Sequence, residues 1–365
     1  MRKGRLLVDK EITGVEALVI FGMLPRLRDA DKSPDTLFVL SCNRPSVSLG
    51  KYEDLDGLKY ENIKRDAILI GRRPSGAGIL WAPPGQMGLL LLTTKDVLPS
   101  IDEAEKIWAG EIVTEIYRRA GIADVWYKHP GDVKIGERKL SGSTCIEHGK
   151  GIIVGSFINR LKPDNKFFED YLIYPEEKLK DKMLEDITKY AASIETDAPK
   201  LISEEEVERI AQDVVSERLG IEFEPGEWTE EERNMLQFGM SILTDENMVT
   251  SVSHSKWYSQ LKDGLTAATY RYKTMKLISA NVAIDSDKTI KDILITGDFL
   301  ISPADGWEKI MEALRGLKAD EEEGILNTLR ETFEKNKIDY SGFTLEDMAK
   351  PVIEAGKLAI EKLGK

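Results

Sequence analysis

In the stretch GERKLSGSTC, residues 136 to 145, Lys139 stands just ahead of three small residues, Ser141, Gly142 and Ser143. Small residues let a backbone come close to a ligand, and an amine beside them can meet the ligand's negative charge. Asp132 precedes Lys139 across an expected hairpin, so a carboxylate and an ammonium would face one pocket. Around phosphate chemistry, that pairing suggests a divalent cation on the carboxylate and a phosphate oxygen on the amine. A second candidate is GRRPSGAG, residues 71 to 78, where Arg72 and Arg73 are followed by a serine and two glycines. Bare backbone amides there can meet an anion or a thin ligand, and the guanidinium groups add fixed charge. Taken singly, each stretch is also compatible with a solvent-facing hairpin. His129, His148 and His254 are too scattered for a metal triad, and Cys42 and Cys145 read as small core residues.

Both candidates need strands and tight turns to hold them. RLLVD and TLFVLSC read as strands, with a helix over GVEALVIFGMLPRLRDA between them. The stretch from Ala67 to Thr94 alternates apolar runs with Gly/Pro punctuation, as strands and turns do. A helix over residues 101–121 has apolar positions at Ile101, Ala104, Ile107, Trp108, Ile112, Ile116 and Tyr117, and closes on Gly121. Strands return around the Lys139 stretch. Helices follow at SEEEVERIAQDVVSERLG, with Ser203 as N-cap, and at TEEERNMLQFGMSIL, capped by Thr229. After HSKWYSQLKDG two strands joined at the turn DSDK and three helical stretches make a complete small α+β unit. That places a boundary near Lys262 to Gly264.

Bulk properties limit what the chain can be. Its 365 residues suit one large domain and a smaller one, and 41% hydrophobic with 32% charged residues is globular. The longest apolar run, MGLLLLTT, is strand-sized, so no membrane span is expected. The N-terminus has no apolar signal core, and two distant cysteines give no disulfide framework, so a reducing cytoplasm is expected. A net charge of −13 argues against a general nucleic-acid binder.

Taken together, and in this order, the two loops resemble the lipoate–protein ligase family of the biotin and lipoate ligase superfamily. That family carries Arg-Arg-x-Ser-Gly-Gly-Gly, an aromatic and Gly-Asn, then Asn-Asp, Lys-x-x-Gly-Ser and a His-Gly-Thr strand. Here stand Arg72, Arg73, Ser75, Gly76, Ala77 and Gly78, then Trp81 with Gly85 and Gln86. Later come Asp132, Lys139, Ser141, Gly142 and Ser143, and Val154, Gly155 and Ser156 on the last strand. The segment VAIDSDKTIKDILITGDFLISP is similar to the family's accessory domain, with its Gly-Asp-Phe signature at 297–299. The chain departs from the pattern at Ala82-Pro83, where the family has His-Asp, at Ala77 and at Val154.

The resemblance implies an α+β protein. Its catalytic domain, 1–261, would be a mixed or antiparallel sheet packed with helices, and 262–365 a small accessory domain acting as a lid. It implies a monomeric, ATP-dependent lipoate–protein ligase: lipoate and ATP give lipoyl-AMP, and the lipoyl group passes to a lysine of an acceptor protein. The acceptor would be an E2 subunit, a glycine-cleavage H protein or a lipoate-binding protein of sulfur oxidation. Lys139 would be catalytic, and Asp132 would hold Mg²⁺. Arg72, Arg73, Ser75, Gly76, Ala77, Gly78, Trp81, Gln86, Ser141, Gly142, Ser143, Gly155 and Ser156 would bind substrate, with Gly76 and Gly78 against the acyl tail. The alternatives are a cysteine-dependent octanoyl or lipoyl transferase, disfavoured by the positions of both cysteines, and a non-catalytic lipoyl-binding scaffold.

Overall fold

A computed structural model describes residues 2–76, 78–129, 131–162, 165–173, 189–274, 276–303, 305–341 and 343–364. The first strands in chain order are β1 (Arg2–Ile12), β2 (Thr36–Cys42) and three short ones, β3 (Ser46–Leu49), β4 (Leu69–Arg72) and β5 (Leu80–Ala82). Then come β6 (Met87–Thr94), β7 (Val125–Lys128), β8 (Asp132–Ile135), β9 (Arg138–His148), β10 (Gly151–Ile158) and β11 (Ile221–Pro225). The last five are β12 (Thr266–Lys273), β13 (Leu277–Ile284), β14 (Ile290–Gly297), β15 (Leu300–Ser302) and β16 (Asp339–Ser341). The chain forms two compact units. One comprises 1–47, 61–70 and 81–243, and the other 48–60, 71–80 and 244–365.

In the first unit eight strands form one sheet in the order β11-β1-β2-β6-β10-β9-β8-β7. β1 runs parallel to β11 and β2, and every other pairing is antiparallel, giving a mixed sheet. The central strands β2 and β6 are buried along their whole lengths. This is why TLFVLSC and MGLLLLTT are unbroken apolar runs: both faces are covered. One face packs Leu89, Leu91 and Val154 against Trp108, Ile112 and Ile116, and against Val207, Ile210 and Val214 of helix Glu204–Leu219. The other packs Leu90, Leu92 and Ile153 against Ala17, Ile20, Phe21 and Leu24 of helix Gly14–Asp29. The expected helix over 101–121 runs on through Ile101–Glu105, Lys106–Val113 and Thr114–Arg119, its middle wound as a π-helix. The expected N-caps are present, with the hydroxyls of Ser203 and Thr229 accepting from the amides of Glu206 and Glu232.

The second unit is built on an antiparallel β12-β13-β14 sheet and a β15-β16 pair. Its helices Gly306–Leu314, Glu322–Lys335 and Leu345–Leu363 enclose a core that includes Ile278, Val282, Ile295, Ile310, Phe333 and Val352. In the C-terminal part of the chain this unit begins at Thr244, ahead of the Lys262–Gly264 boundary read from the sequence. Among the described residues no helix is long and apolar enough to cross a membrane.

One buried ion pair ties β1 to the helix Glu230–Leu243. Glu232 is fully buried and accepts from Arg5 Nη1 and Nη2 at 2.9 and 2.6 Å and from the Thr229 amide at 2.9 Å. Burial opposes its charge, but the hydrogen bonds from Arg5, Ser33 and Thr229 outweigh that and hold the carboxyl below its usual 4.5. Glu232→Ala should cost about 3–5 kcal/mol of stability, the effect of stranding a buried guanidinium. A depressed carboxyl stabilises the fold above its unfolded value, and that contribution fades as pH falls through the folded one. Urea unfolding of both chains at pH 7 and pH 3 should therefore show the difference shrinking in acid.

Candidate active site

The amine and carboxylate singled out by the sequence meet. Lys139 Nζ lies 2.5 Å from Asp132 Oδ1, with the side chains 35% and 29% exposed, open enough for a ligand to reach both. Asp132 pairs with Gly142 across β8 and β9, so their side-chain directions share a face of the sheet. A methyl on Gly142 would lie 2.9 Å from Lys139 Nζ, so only glycine lets the amine lie across the strand unhindered. The turn enters at Gly131, whose φ of +90° and carbonyl, accepting from the Ser143 amide at 2.7 Å, set the start of β8.

A β-bulge aims the lysine. Val133 pairs with Ser141 and Lys134 with Lys139, leaving Leu140 as the extra residue. Without that insertion, alternation would send Lys139 to the same side as Ser141, into the apolar layer containing Val133 and Leu140. From Ser141 onward β9 is regular against β10, so Ser141, Ser143 and Cys145 leave by the face opposite to Gly142. Ser141 Oγ donates to the Phe157 carbonyl at 2.7 Å. Ser143 Oγ lies 2.6 Å from Ser156 Oγ, which accepts from the fully buried Trp108 indole at 2.9 Å. Cys145 packs in the core with Trp108 and Val154, and burial pushes its thiol pKa well up. A methyl at Gly155 would overlap Leu90, so that glycine serves packing. The structure thus brings together Lys139, Asp132 and Gly142, and turns Ser141, Ser143 and Ser156 away from them.

The remaining residues expected at the site divide between the units. Trp81 stacks on Phe167 with ring centres 4.6 Å apart, and Gln86 Nε2 donates to the Ile158 carbonyl at 3.0 Å, both within the first unit. Arg72, Arg73, Ser75, Gly76 and Gly78 belong to the second, and Ala77 lies outside the described residues. Arg72 is buried, and its guanidinium donates to the carbonyls of Gly50, Glu53 and Val249 at 2.8, 2.7 and 2.8 Å. Arg73 donates to the carbonyls of Ser48, Gly76 and Gly78 at 3.0, 2.9 and 2.6 Å. Burial lowers both guanidinium pKa values to about 10. Both side chains therefore hold the loop, where the sequence suggested charge for a ligand. Ser75 is exposed, and its carbonyl accepts from the Lys51 amide at 2.8 Å. Gly76 faces the Phe299 carbonyl, where an acyl tail was expected, and Gly78 faces Asp298 and Glu53.

Two groups had no sequence signal because their partners are remote in the chain. His254 Nδ1 sits 3.2 Å from Asp54 Oδ2 and 2.9 Å from Asp56 Oδ2, three side chains whose ligand atoms could hold a cation. These carboxylates already accept from the His254 and Ser255 amides at 3.2 and 2.6 Å, so they also serve as helix caps. Glu53 is the second. Burial, with Asp298 and Asp54 nearby, raises its carboxyl to about 7 against the opposing pull of Arg73 and Arg72.

Residues 20–215, more than half of the chain, match the lipoyl protein ligase A/B catalytic domain, and the chain belongs to that family. It is 24% identical over 240 residues to the octanoyltransferase LipM of Oceanobacillus iheyensis, covering 60% of this chain and 87% of that protein. A bipartite lipoate protein ligase from Thermoplasma acidophilum, studied with its E2 lipoyl domain, has the same fold. It gives a TM-score of 0.58 at 19% identity over 69% of this chain and 98% of its own. A lipoate-protein ligase A bound with ATP aligns with a TM-score of 0.55 at 17% identity, over 68% of this chain and 99% of that one. The protein is an enzyme of the lipoyl ligase and transferase family.

The raised Glu53 carboxyl yields a test of the second unit. A folded value near 7 stabilises the fold fully below the unfolded 4.5, and that contribution is lost as pH rises through 7. Glu53→Gln, which keeps the shape without the charge, should stabilise the protein by up to about 3 kcal/mol at pH 8 and hardly at pH 4. Equal denaturation midpoints of the two chains at pH 8 would show that this carboxyl is not perturbed.

Proposed function

We propose that the protein is an ATP-dependent lipoate–protein ligase. One observation carries this reading: the Lys139–Asp132 pair shares a partly exposed face of β8 and β9, while Cys145 leaves β9 into the apolar core on the other. A carboxylate is a poor electrophile, so acyl transfer to an amine needs a better leaving group. In the first half-reaction the lipoate oxygen attacks the α-phosphorus of ATP and the bond to pyrophosphate breaks. In the second, the acceptor's lysine amine attacks the acyl carbon, an amide forms and AMP leaves. The first step brings two anions into contact, and Lys139 would offset their repulsion and stabilise charge as it develops on the oxygens.

Asp132 holds that ammonium in position before substrates arrive, and would release it to them. Asp132 would also be the residue that holds Mg²⁺, which supplies charge neutralisation at the phosphates. A single partly exposed carboxylate suits an ion that keeps its waters and draws other ligands from substrate phosphates. The acceptor would be a lipoyl domain of an E2 subunit, a glycine-cleavage H protein or a sulfur-oxidation lipoate-binding protein. The T. acidophilum ligase, studied with an E2 lipoyl domain, supports this kind of partner. The C-terminal part, 262–365, would serve adenylation more than transfer.

The LipM relative favours a second reading, an acyl transferase with a cysteine nucleophile and no need of ATP. Such a cysteine must ionise near neutral pH. Burial pushes Cys42 up to about 12 and raises Cys145 as well, which disfavours both.

Lipoate-dependent exchange of labelled pyrophosphate into ATP separates these readings. Lys139→Ala should cut that exchange about 100- to 1,000-fold, the usual cost of one charge-stabilising donor, with the melting temperature nearly unchanged. Cys42→Ala and Cys145→Ala should stay within about twofold of the parent chain, since neither thiol takes part. Acyl transfer that runs without ATP and stops when either cysteine is replaced would overturn the ligase. Mass spectrometry of each candidate acceptor after incubation with ATP and lipoate would identify the partner.

A further inference from the structure

The bulge that aims Lys139 is held from outside the sheet. Leu140 has no partner in the register of β9 with β8, and its carbonyl accepts from the Tyr117 hydroxyl at 2.8 Å. That hydroxyl also accepts from the Asn159 amide at 3.0 Å, just past the end of β10. Tyr117 is fully buried, and burial raises its phenol well above the usual value, so the hydroxyl stays protonated and donates. One hydroxyl thus joins the bulge on β9 to the end of β10. Losing it would strand a buried carbonyl and release an amide.

A second contact closes the bulge. The Ala192 amide donates to the Lys139 carbonyl at 2.9 Å, in a parallel bridge that pairs Lys139 with Ala191. Asn159 Nδ2 donates to the Ala192 carbonyl at 3.3 Å, so the two segments that meet the bulge also brace each other. Arg138, next to Lys139, pairs with Asp197 through both terminal nitrogens.

The helical run that supplies Tyr117 is shaped for this contact. Trp108 and Tyr117 are both fully buried and both bond to this sheet, Trp108 at Ser156 and Tyr117 at Leu140. Nine residues make about two and a half turns of an α-helix, which would set the two rings on opposite sides. The π-wound stretch Lys106–Val113 covers much of that interval, and its wider turns take up part of the half turn. Both rings lie in the same apolar layer.

We propose that Tyr117 is a positioning residue: its hydroxyl fixes the phase of β9 at Leu140 and, through it, the direction of Lys139. The proposal rests on the ligase reading for what the Lys139 amine does, and on the geometry of one compact unit for the rest. Tyr117 touches no substrate in this scheme. Its loss leaves binding as it was and slows the step that needs Lys139 in place.

Tyr117→Phe, in the full chain, keeps the ring and removes the hydroxyl. Amide hydrogen exchange reads the bulge without activity. The Ala192 amide should exchange about tenfold faster relative to the amides of β6, which report the stability of the unit as a whole. In lipoate-dependent pyrophosphate exchange kcat should fall about tenfold, with the KM values for lipoate and ATP within about twofold of the parent. In a Lys139→Ala chain the same substitution should change the rate by less than about twofold, because a residue acting through Lys139 has nothing left to position. An unaltered kcat overturns the proposal. So does a tenfold fall that persists in the Lys139→Ala chain, or exchange at Ala192 that merely keeps pace with β6, either of which marks a structural role. A parent chain that exchanges no pyrophosphate refutes the ligase reading, and the Ala192 measurement then still decides whether Tyr117 holds the bulge.

Discussion

The direction of Lys139 in the first unit depends on one inserted residue. Side chains leave a strand alternately, and apolar layers on both faces of this sheet fix which way each one goes. Leu140, unpaired between Lys139 and Ser141, lets the strand change phase just where β9 begins. Lys139 is thereby delivered to the face of Asp132 and Gly142, and everything after it keeps the opposite phase. An ammonium sent to the other face would enter the layer of Trp108, Ile112 and Val133, a position that costs several kcal/mol unless the charge is paired. Bulges are common where a side chain must be re-aimed beside a site, and this one separates a charged pair from an apolar interior only one strand thickness away.

The second unit solves a different problem with the same economy of groups. A buried guanidinium group, Arg72, and a half-buried one, Arg73, would destabilise a fold if their donors went unmet. Here they are met by main-chain carbonyls, which cannot be withdrawn without unfolding a segment, so the arginines convert an irregular loop into fixed structure. The raised Glu53 carboxyl shows the remaining electrostatic tension, since two lowered arginines beside it do not fully offset burial and the neighbouring Asp298 and Asp54. The arginine-glycine pattern therefore works as a scaffold for its own loop.

Much of this fold was legible in the sequence where the signal is local. The helix Gly14–Asp29, the buried runs of β2 and β6, the caps at Ser203 and Thr229 and the hairpin at DSDK all follow from spacing and capping rules. The pairing of Lys139 with Asp132 was legible too, because a short hairpin brings its own arms together. What the sequence did not disclose lies in contacts between distant segments. Nothing in RRPSGAG says that Arg72 faces the Val249 carbonyl, 177 residues further along, or that Gly76 meets Phe299. His254 looked isolated for the same reason, its carboxylate neighbour Asp54 being 200 residues upstream. Ser143 and Ser156 were placed by type and resemblance, and a one-residue phase decided their direction instead.

That phase also bears on how one fold hosts two chemistries. A ligase needs a fixed positive charge where carboxylate and phosphate meet, and a transferase needs an ionisable thiol within reach of the acyl carbon. Both demands can be met on the same sheet, and the difference lies in which face each strand position presents. On β9 a cysteine at position 144 or 146 would share the face of Gly142, whereas Cys145 leaves into the core, with Val154 opposite. A thiol there is stabilised as a small apolar group and loses the polar surroundings that ionisation requires. Local register thus decides which residues of β9 stand beside Lys139, with a single leucine outside the ladder setting the phase.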